Sequence, residues 1–165
     1  MRIIGTLLVF VLAFSLCKAQ TESKEALYDP DANAMGHIRH AVEKAHQENK
    51  HVLIQVGGNW CPWCIRLNHF IEENTSLDSL VTADYVLVHV NYSKDNKNPD
   101  VMTMLDFPQR FGFPVLVILD GSGKRLHTQN TAYLEEGESY NEKKIREFLL
   151  DWNPAAVNLE SYLNK

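Results

Sequence analysis

The period of the apolar positions changes several times along the chain, and each change marks an element. Met35, Ile38, Ala41, Val42 and Ala45 recur at helical spacing with His37, Arg39, Glu43, Lys44 and Gln47 between them, which predicts an amphipathic helix over 33–49. His51-Val52-Leu53-Ile54-Gln55-Val56 is then a continuous, mostly apolar, β-branched run ended by Gly57-Gly58, the pattern of a buried strand. From Pro62 the positions Cys64, Leu67, Phe70 and Ile71 restore helical spacing as far as Asn74, with the proline in the first turn, where a helix tolerates one. Tyr85-Val86-Leu87-Val88-His89-Val90 reads as a second buried strand, 93–99 as a polar loop and 100–106 as a short helix. Pro114-Val115-Leu116-Val117-Ile118-Leu119 is a third strand, and Asp120-Gly121-Ser122-Gly123 turns it into a fourth over 124–128. Ser139-Tyr140-Asn141-Glu142 has the form of a capping box before Ile145, Phe148, Leu149 and Trp152, which predicts a closing helix.

With 165 residues, 45% in the hydrophobic set and 22% charged, the chain suits one globular domain with a sizeable core. The first residues stand apart from it. Met1-Arg2 leads into an apolar stretch too short to span a membrane, and Cys17-Lys18-Ala19 places small residues where signal peptidase reads them. The expected layout is a signal peptide over 1–19, a polar linker over 20–32, the folded domain over 33–153 and a C-terminal extension over 154–165. A retained anchor or a lipid on Cys17 is the competing reading, and Phe14-Ser15-Leu16 fits a lipidation site poorly. Export to a periplasm or cell envelope follows if the segment is cleaved. Cleavage also removes Arg2 and Lys18 and no acid, leaving 14 basic against 21 acidic residues, a formal charge of −7. So acidic a chain is a poor partner for nucleic acid.

The order of elements is that of an α/β protein with a central mixed sheet flanked by helices and an extra helix at its N-terminus. Trp60-Cys61-Pro62-Trp63-Cys64 directly after a buried strand, and Gly112-Phe113-Pro114 just before the hairpin strand, make residues 35–152 resemble the thioredoxin family. The resemblance implies a thioredoxin-like fold and a protein disulfide oxidoreductase whose catalytic pair is Cys61 and Cys64. It also implies a cis peptide bond before Pro114 and a substrate groove lined by Trp60, Pro62, Trp63, Gly112, Phe113 and Pro114. Expected partners are protein disulfides or dithiols and a redox partner, membrane-bound or soluble; no organic cofactor is required, and the chain is expected to act as a monomer.

Cysteines three apart at the start of a helix share one face, so their sulfurs can bond without large backbone movement. Cys61, at the positive end of the helix dipole, is the expected nucleophile, with a sulfur open to reagents, and Cys64, one turn deeper, is the resolving thiol. Proline straight after the first cysteine resembles glutaredoxins and the oxidising periplasmic enzymes, which leans the motif towards oxidation. Two positions depart from thioredoxin. Gln55 stands where it carries a buried aspartate, so the proton of Cys64 must leave by water or another base. Ile65 replaces a lysine, and the nearest cation, Arg66, is expected to point elsewhere.

Other readings of these residues are weaker. One CxxC supplies half of a zinc site, and no second CxxC or HxxxH completes it, so no metal is expected. Covalent haem needs a histidine after Cys64, and Ile65 stands there. The segment 134–138 reads as a solvated acidic loop. The competing function is a peptide-binding or chaperone module on the same fold, with no redox turnover.

Overall fold

The computed structural model describes residues 26–163. The expected signal segment 1–19, Cys17 within it, and the first residues of the expected linker lie outside them.

Four strands form the central sheet: β1 (His51–Gly57), β2 (Tyr85–Asn91), β3 (Val115–Leu119) and β4 (Arg125–Asn130), in the order β2-β1-β3-β4. β1 runs parallel to β2 and antiparallel to β3, and β3 antiparallel to β4, so the sheet is mixed, as expected. All seven residues of β1 are buried, which is why its sequence shows no polar alternation. Its side chains still divide by face: Val52, Ile54 and Val56 enter one core with Val115, Val117 and Leu119, while Leu53 enters a second with Leu116 and Ile118.

The first core is closed by α1 (Ala34–Glu48) and α4 (Pro99–Met104), the second by α2 (Pro62–Glu73), α3 (Thr75–Asp84) and α5 (Glu142–Asp151). Ile38, Ala41 and Ala45 are the buried stripe of α1, Leu67 and Ile71 that of α2, and Ile145, Phe148 and Leu149 that of α5. The remaining helix, α6 (Glu160–Leu163), buries no residue.

Three stretches differ from the sequence expectation. Helix α3 does not show in the periodicity, because it buries only Leu77 and Val81, too thin a stripe to stand out. Asn74 marks its start by accepting hydrogen bonds from the Ser76 and Leu77 N–H groups, 3.1 and 3.2 Å away. The expected solvated loop over 134–138 does keep Glu136 and Glu138 exposed, but it is not a plain loop: Leu134 is buried, and β5 (Glu135–Glu136) pairs antiparallel with β6 (Ser139–Tyr140) around Gly137. Because Ser139 belongs to β6, it does not cap the last helix; Asn141 does, its side chain accepting from the Lys144 N–H at 3.0 Å.

Candidate active site

Strand β1 delivers the chain to Gly57-Gly58, and α2 starts four residues later, so the CxxC lies just beyond the end of the central strand. Cys61 is the N-cap of α2 and Pro62 its first residue; the Cys61 N–H donates to the Gly58 carbonyl at 3.0 Å, closing the turn. Cys61 and Cys64 are joined as a disulfide with their Cα atoms 5.3 Å apart. The Cys61 sulfur also accepts from the Cys64 backbone N–H at 3.2 Å, a donor it shares with the Cys61 carbonyl at 3.1 Å. Both cysteines are buried, at 4% and 0% exposure, so the expectation of a freely open Cys61 sulfur needs correction. Leu27, Tyr28, Trp63, Ile65 and Phe113 pack round the pair, and what access remains is to Cys61.

An aromatic shelf stands beside the disulfide. Trp60 is 56% exposed, yet its indole N–H is held by the Tyr92 carbonyl at 2.8 Å, and its ring meets Phe113 edge-on at 5.4 Å. Phe113 also packs on Tyr92, 4.9 Å between centroids, and against the cysteine pair. The Phe113–Pro114 bond is cis, and the Pro114 carbonyl accepts from the Thr131 hydroxyl at 2.5 Å. Gly112, with φ of 90°, is in the region that favours glycine. Between Trp60 and the loop Tyr92, Ser93, Lys94, Asp95 and Lys97 lies a groove of about 500 Å³. Trp63 faces the other way: its ring is edge-on to Tyr140 at 5.4 Å, its carbonyl accepts from the Tyr140 hydroxyl at 3.2 Å, and Arg66 sits over it at 4.6 Å. Stacking on Trp63 is thus where the Arg66 charge goes. Of the expected groove residues, Trp60 and Phe113 meet directly, with Gly112 and Pro114 flanking Phe113; Trp63 lines a separate contact.

Beneath the pair lies the residue that the sequence pattern hid. Tyr28, placed by the sequence in a polar linker, is 1% exposed and forms one buried cluster with Cys61 and Cys64. Asn59 clamps it in the manner of a strand partner, accepting from the Tyr28 N–H at 3.1 Å and donating to its carbonyl at 2.6 Å. Gln55, 1% exposed at the position of the family's aspartate, donates to Tyr28 Oη at 2.5 Å and to the Cys64 carbonyl at 3.1 Å. The one clue in the sequence was an aromatic next to Leu27 in an otherwise polar stretch.

Burial pushes the Tyr28 hydroxyl above its ordinary value, only partly countered by the Gln55 bond, and it stays protonated at any working pH. His89 of β2, edge-on to Tyr28 at 5.5 Å, is held below the ordinary imidazole value by desolvation, and its Nε2 has no hydrogen-bond partner among the described residues. Among the described residues no cluster of three or more His, Cys, Asp or Glu could hold a metal, and no helix is long and apolar enough to cross a membrane.

Comparison with known proteins bears on this geometry. Residues 38–140 match the model of the thioredoxin-like domain. A disulfide bond reductase, DsbH of Chlamydia pneumoniae, is 27% identical over 92 residues, 52% of this chain and 55% of that protein, so the chain spans about half the length of that curated relative. A solved structure of a disulphide isomerase from Xylella fastidiosa Temecula1 superposes with a TM-score of 0.69 at 21% identity, over 78% of this chain and 98% of the other, which establishes likeness of fold. With more than half of its length matched by the family model, the chain belongs to the thioredoxin-like family.

Proposed function

We propose that this chain is an exported thiol–disulfide oxidoreductase that exchanges disulfides with protein substrates through Cys61 and Cys64. The observation that carries the reading is the closed Cys61–Cys64 disulfide across the first turn of α2, with Cys61 at the N-cap and the more accessible of the two. The Cys61 sulfur accepts from the Cys64 N–H and faces the positive end of the helix dipole, both of which favour its thiolate. In the reducing direction, the Cys61 thiolate attacks one sulfur of a substrate disulfide; that S–S bond breaks and its other sulfur leaves as a thiolate that takes a proton from water. Cys64, deprotonated, then attacks Cys61 and releases the second substrate sulfur. Two electrons pass from the dithiol to the substrate, and a partner dithiol must return them.

An extended substrate segment would lie on the shelf of Trp60, Gly112, Phe113 and Pro114, with the exposed Pro62 at the helix start beside it. Phe113 supports this role because its backbone N–H and carbonyl take part in none of the turn and loop hydrogen bonds among the described residues. Export rests on the leader-like segment 1–19, and a periplasmic or envelope setting fits a protein left with Cys61 and Cys64 as its cysteines. The name of the Chlamydia relative favours the reducing direction, whereas Pro62 after Cys61 favours oxidation; we place reduction first.

Insulin reduction by wild type and by Cys61→Ser tests the reading. Cysteine-dependent turnover is expected, and Cys64→Ser should trap a mixed disulfide on Cys61. Equal, cysteine-independent behaviour of wild type and variant would favour the peptide-binding module instead.

A further inference from the structure

We propose, resting on the exchange reading of Cys61 and Cys64, that Tyr28 Oη donates a hydrogen bond to the Cys64 sulfur once the disulfide opens, and so favours the thiolate that resolves the mixed disulfide. The family's acid–base group at the Gln55 position is gone, and Tyr28, from a segment outside the central sheet, is hydrogen-bonded to Gln55 and packed against Cys61 and Cys64. A Cβ built on Gly57 would fall 2.5 Å from Cys64 Sγ and 2.8 Å from Tyr28 Oη. The sulfur and the hydroxyl therefore flank one point, closer to each other than those two distances added together.

The hydrogen-bond roles leave the hydroxyl hydrogen free for that sulfur. Gln55 Nε2 donates both to Tyr28 Oη and to the Cys64 carbonyl, so the tyrosine oxygen is the acceptor in its bond with Gln55. No acceptor for the tyrosine hydrogen appears among the other described residues. Gln55 thus fixes Tyr28 and the Cys64 backbone together, and Asn59 holds the Tyr28 main chain from the other side. In the fully buried site of Cys64, a thiolate with no donor is strongly disfavoured, and a neutral phenol is a donor that adds no charge.

The titratable groups facing Tyr28 are His89 on β2, edge-on at 5.5 Å, Tyr140 on β6, whose hydroxyl is likewise raised by burial, and the cysteines on α2. Gln55 on β1 is neutral, and the adjoining Asp29 turns to its own loop, accepting from the Asp31 N–H at 2.9 Å. His89 titrates below its ordinary 6.5, so above neutral pH it stays uncharged. A change read there belongs to the thiols.

Reaction of the reduced protein with 5,5′-dithiobis(2-nitrobenzoate) separates the steps, since attack by Cys61 releases a first coloured thiolate and resolution by Cys64 a second. In Tyr28→Phe the first release should keep its rate and pH profile, while the second moves up by about one pH unit, a ten-fold loss of thiolate at fixed pH. The more basic sulfur is about three-fold more nucleophilic, so the second rate should fall about three-fold below its midpoint. A fluorinated tyrosine at position 28, a stronger donor of nearly the same shape, should move the midpoint down, and it serves if Tyr28→Phe does not fold. Second-release profiles that coincide for wild type and variant overturn the proposal, as they would for a tyrosine that only packs. Because the reagent needs no protein substrate, such a result leaves the exchange function standing, and failure of insulin reduction leaves the hydrogen bond standing.

Discussion

Adding one methyl group at Gly57 should weaken the oxidised protein more than the reduced one. The alanine Cβ would meet Cys64 Sγ at 2.5 Å and Tyr28 Oη at 2.8 Å, about 1 Å short of the ~3.5–4.0 Å at which unbonded atoms sit comfortably. Neither neighbour can easily retreat: the sulfur is bonded to Cys61, and the hydroxyl is held by Gln55. Alanine in place of glycine gains about 0.5–1 kcal/mol of backbone entropy in a strand. Overpacking a filled core costs about 1–3 kcal/mol, so the clash wins. Reduction lets the Cys64 side chain rotate away and relieves part of this, and each ~1.4 kcal/mol relieved raises the reduction potential by ~30 mV. Urea unfolding of Gly57→Ala in both redox states, with equilibration against glutathione buffers, reads both effects. The expected outcome is a loss of about 1–2 kcal/mol in the oxidised state, a smaller loss in the reduced state, and a potential about 10–40 mV more oxidising. An oxidised Gly57→Ala protein as stable as wild type, with an unmoved potential, would refute the close approach on which the site rests.

The cap of α5 gives a paired test: Asn141→Ala should cost about 0.5–2 kcal/mol by removing the acceptor of the Lys144 N–H, while Ser139→Ala should be nearly neutral. Equal losses in the two variants would restore Ser139 as the cap. His89 predicts a pH dependence. Its folded-state value lies below the ordinary 6.5 because desolvation outweighs the charge of Glu72. Its contribution is fully present above pH 6.5 and is lost as pH falls from there towards the lowered value, where the unfolded chain binds the proton more readily. Replacing His89 with phenylalanine should flatten the fall in unfolding free energy across that window, measured by urea titration at several pH values.

Much of the site was legible because its chemistry is written in contiguous residues. Trp60-Cys61-Pro62-Trp63-Cys64 carries cap, first-turn proline and both sulfurs on a single helix start, and Gly112-Phe113-Pro114 carries the facing loop. Strands β1 and β3, buried throughout, announced themselves as apolar runs, broken in β1 only by His51 and Gln55. What stayed hidden depends on contacts distant in sequence or on thin patterns. Tyr28 reaches Gln55 and Asn59 across 27 and 31 residues, and nothing in its polar neighbourhood says that it turns inward. Helix α3 is held by two buried residues, and the short β5–β6 pair has two residues a side, below the length at which alternation can be seen. Ser139 and Asn141 both fit a cap, and only the pairing of β6 decides between them.

The ionisation of Cys61 tests the central claim most directly. In Cys64→Ser, where Cys61 is the one thiol left in the folded domain, ultraviolet thiolate absorbance followed against pH should give a midpoint near or below about 7, against ~8.5 for a free cysteine. Iodoacetamide reactivity should follow the same curve. A midpoint at or above the free value, or a thiol that does not react while the protein stays folded, would contradict the account.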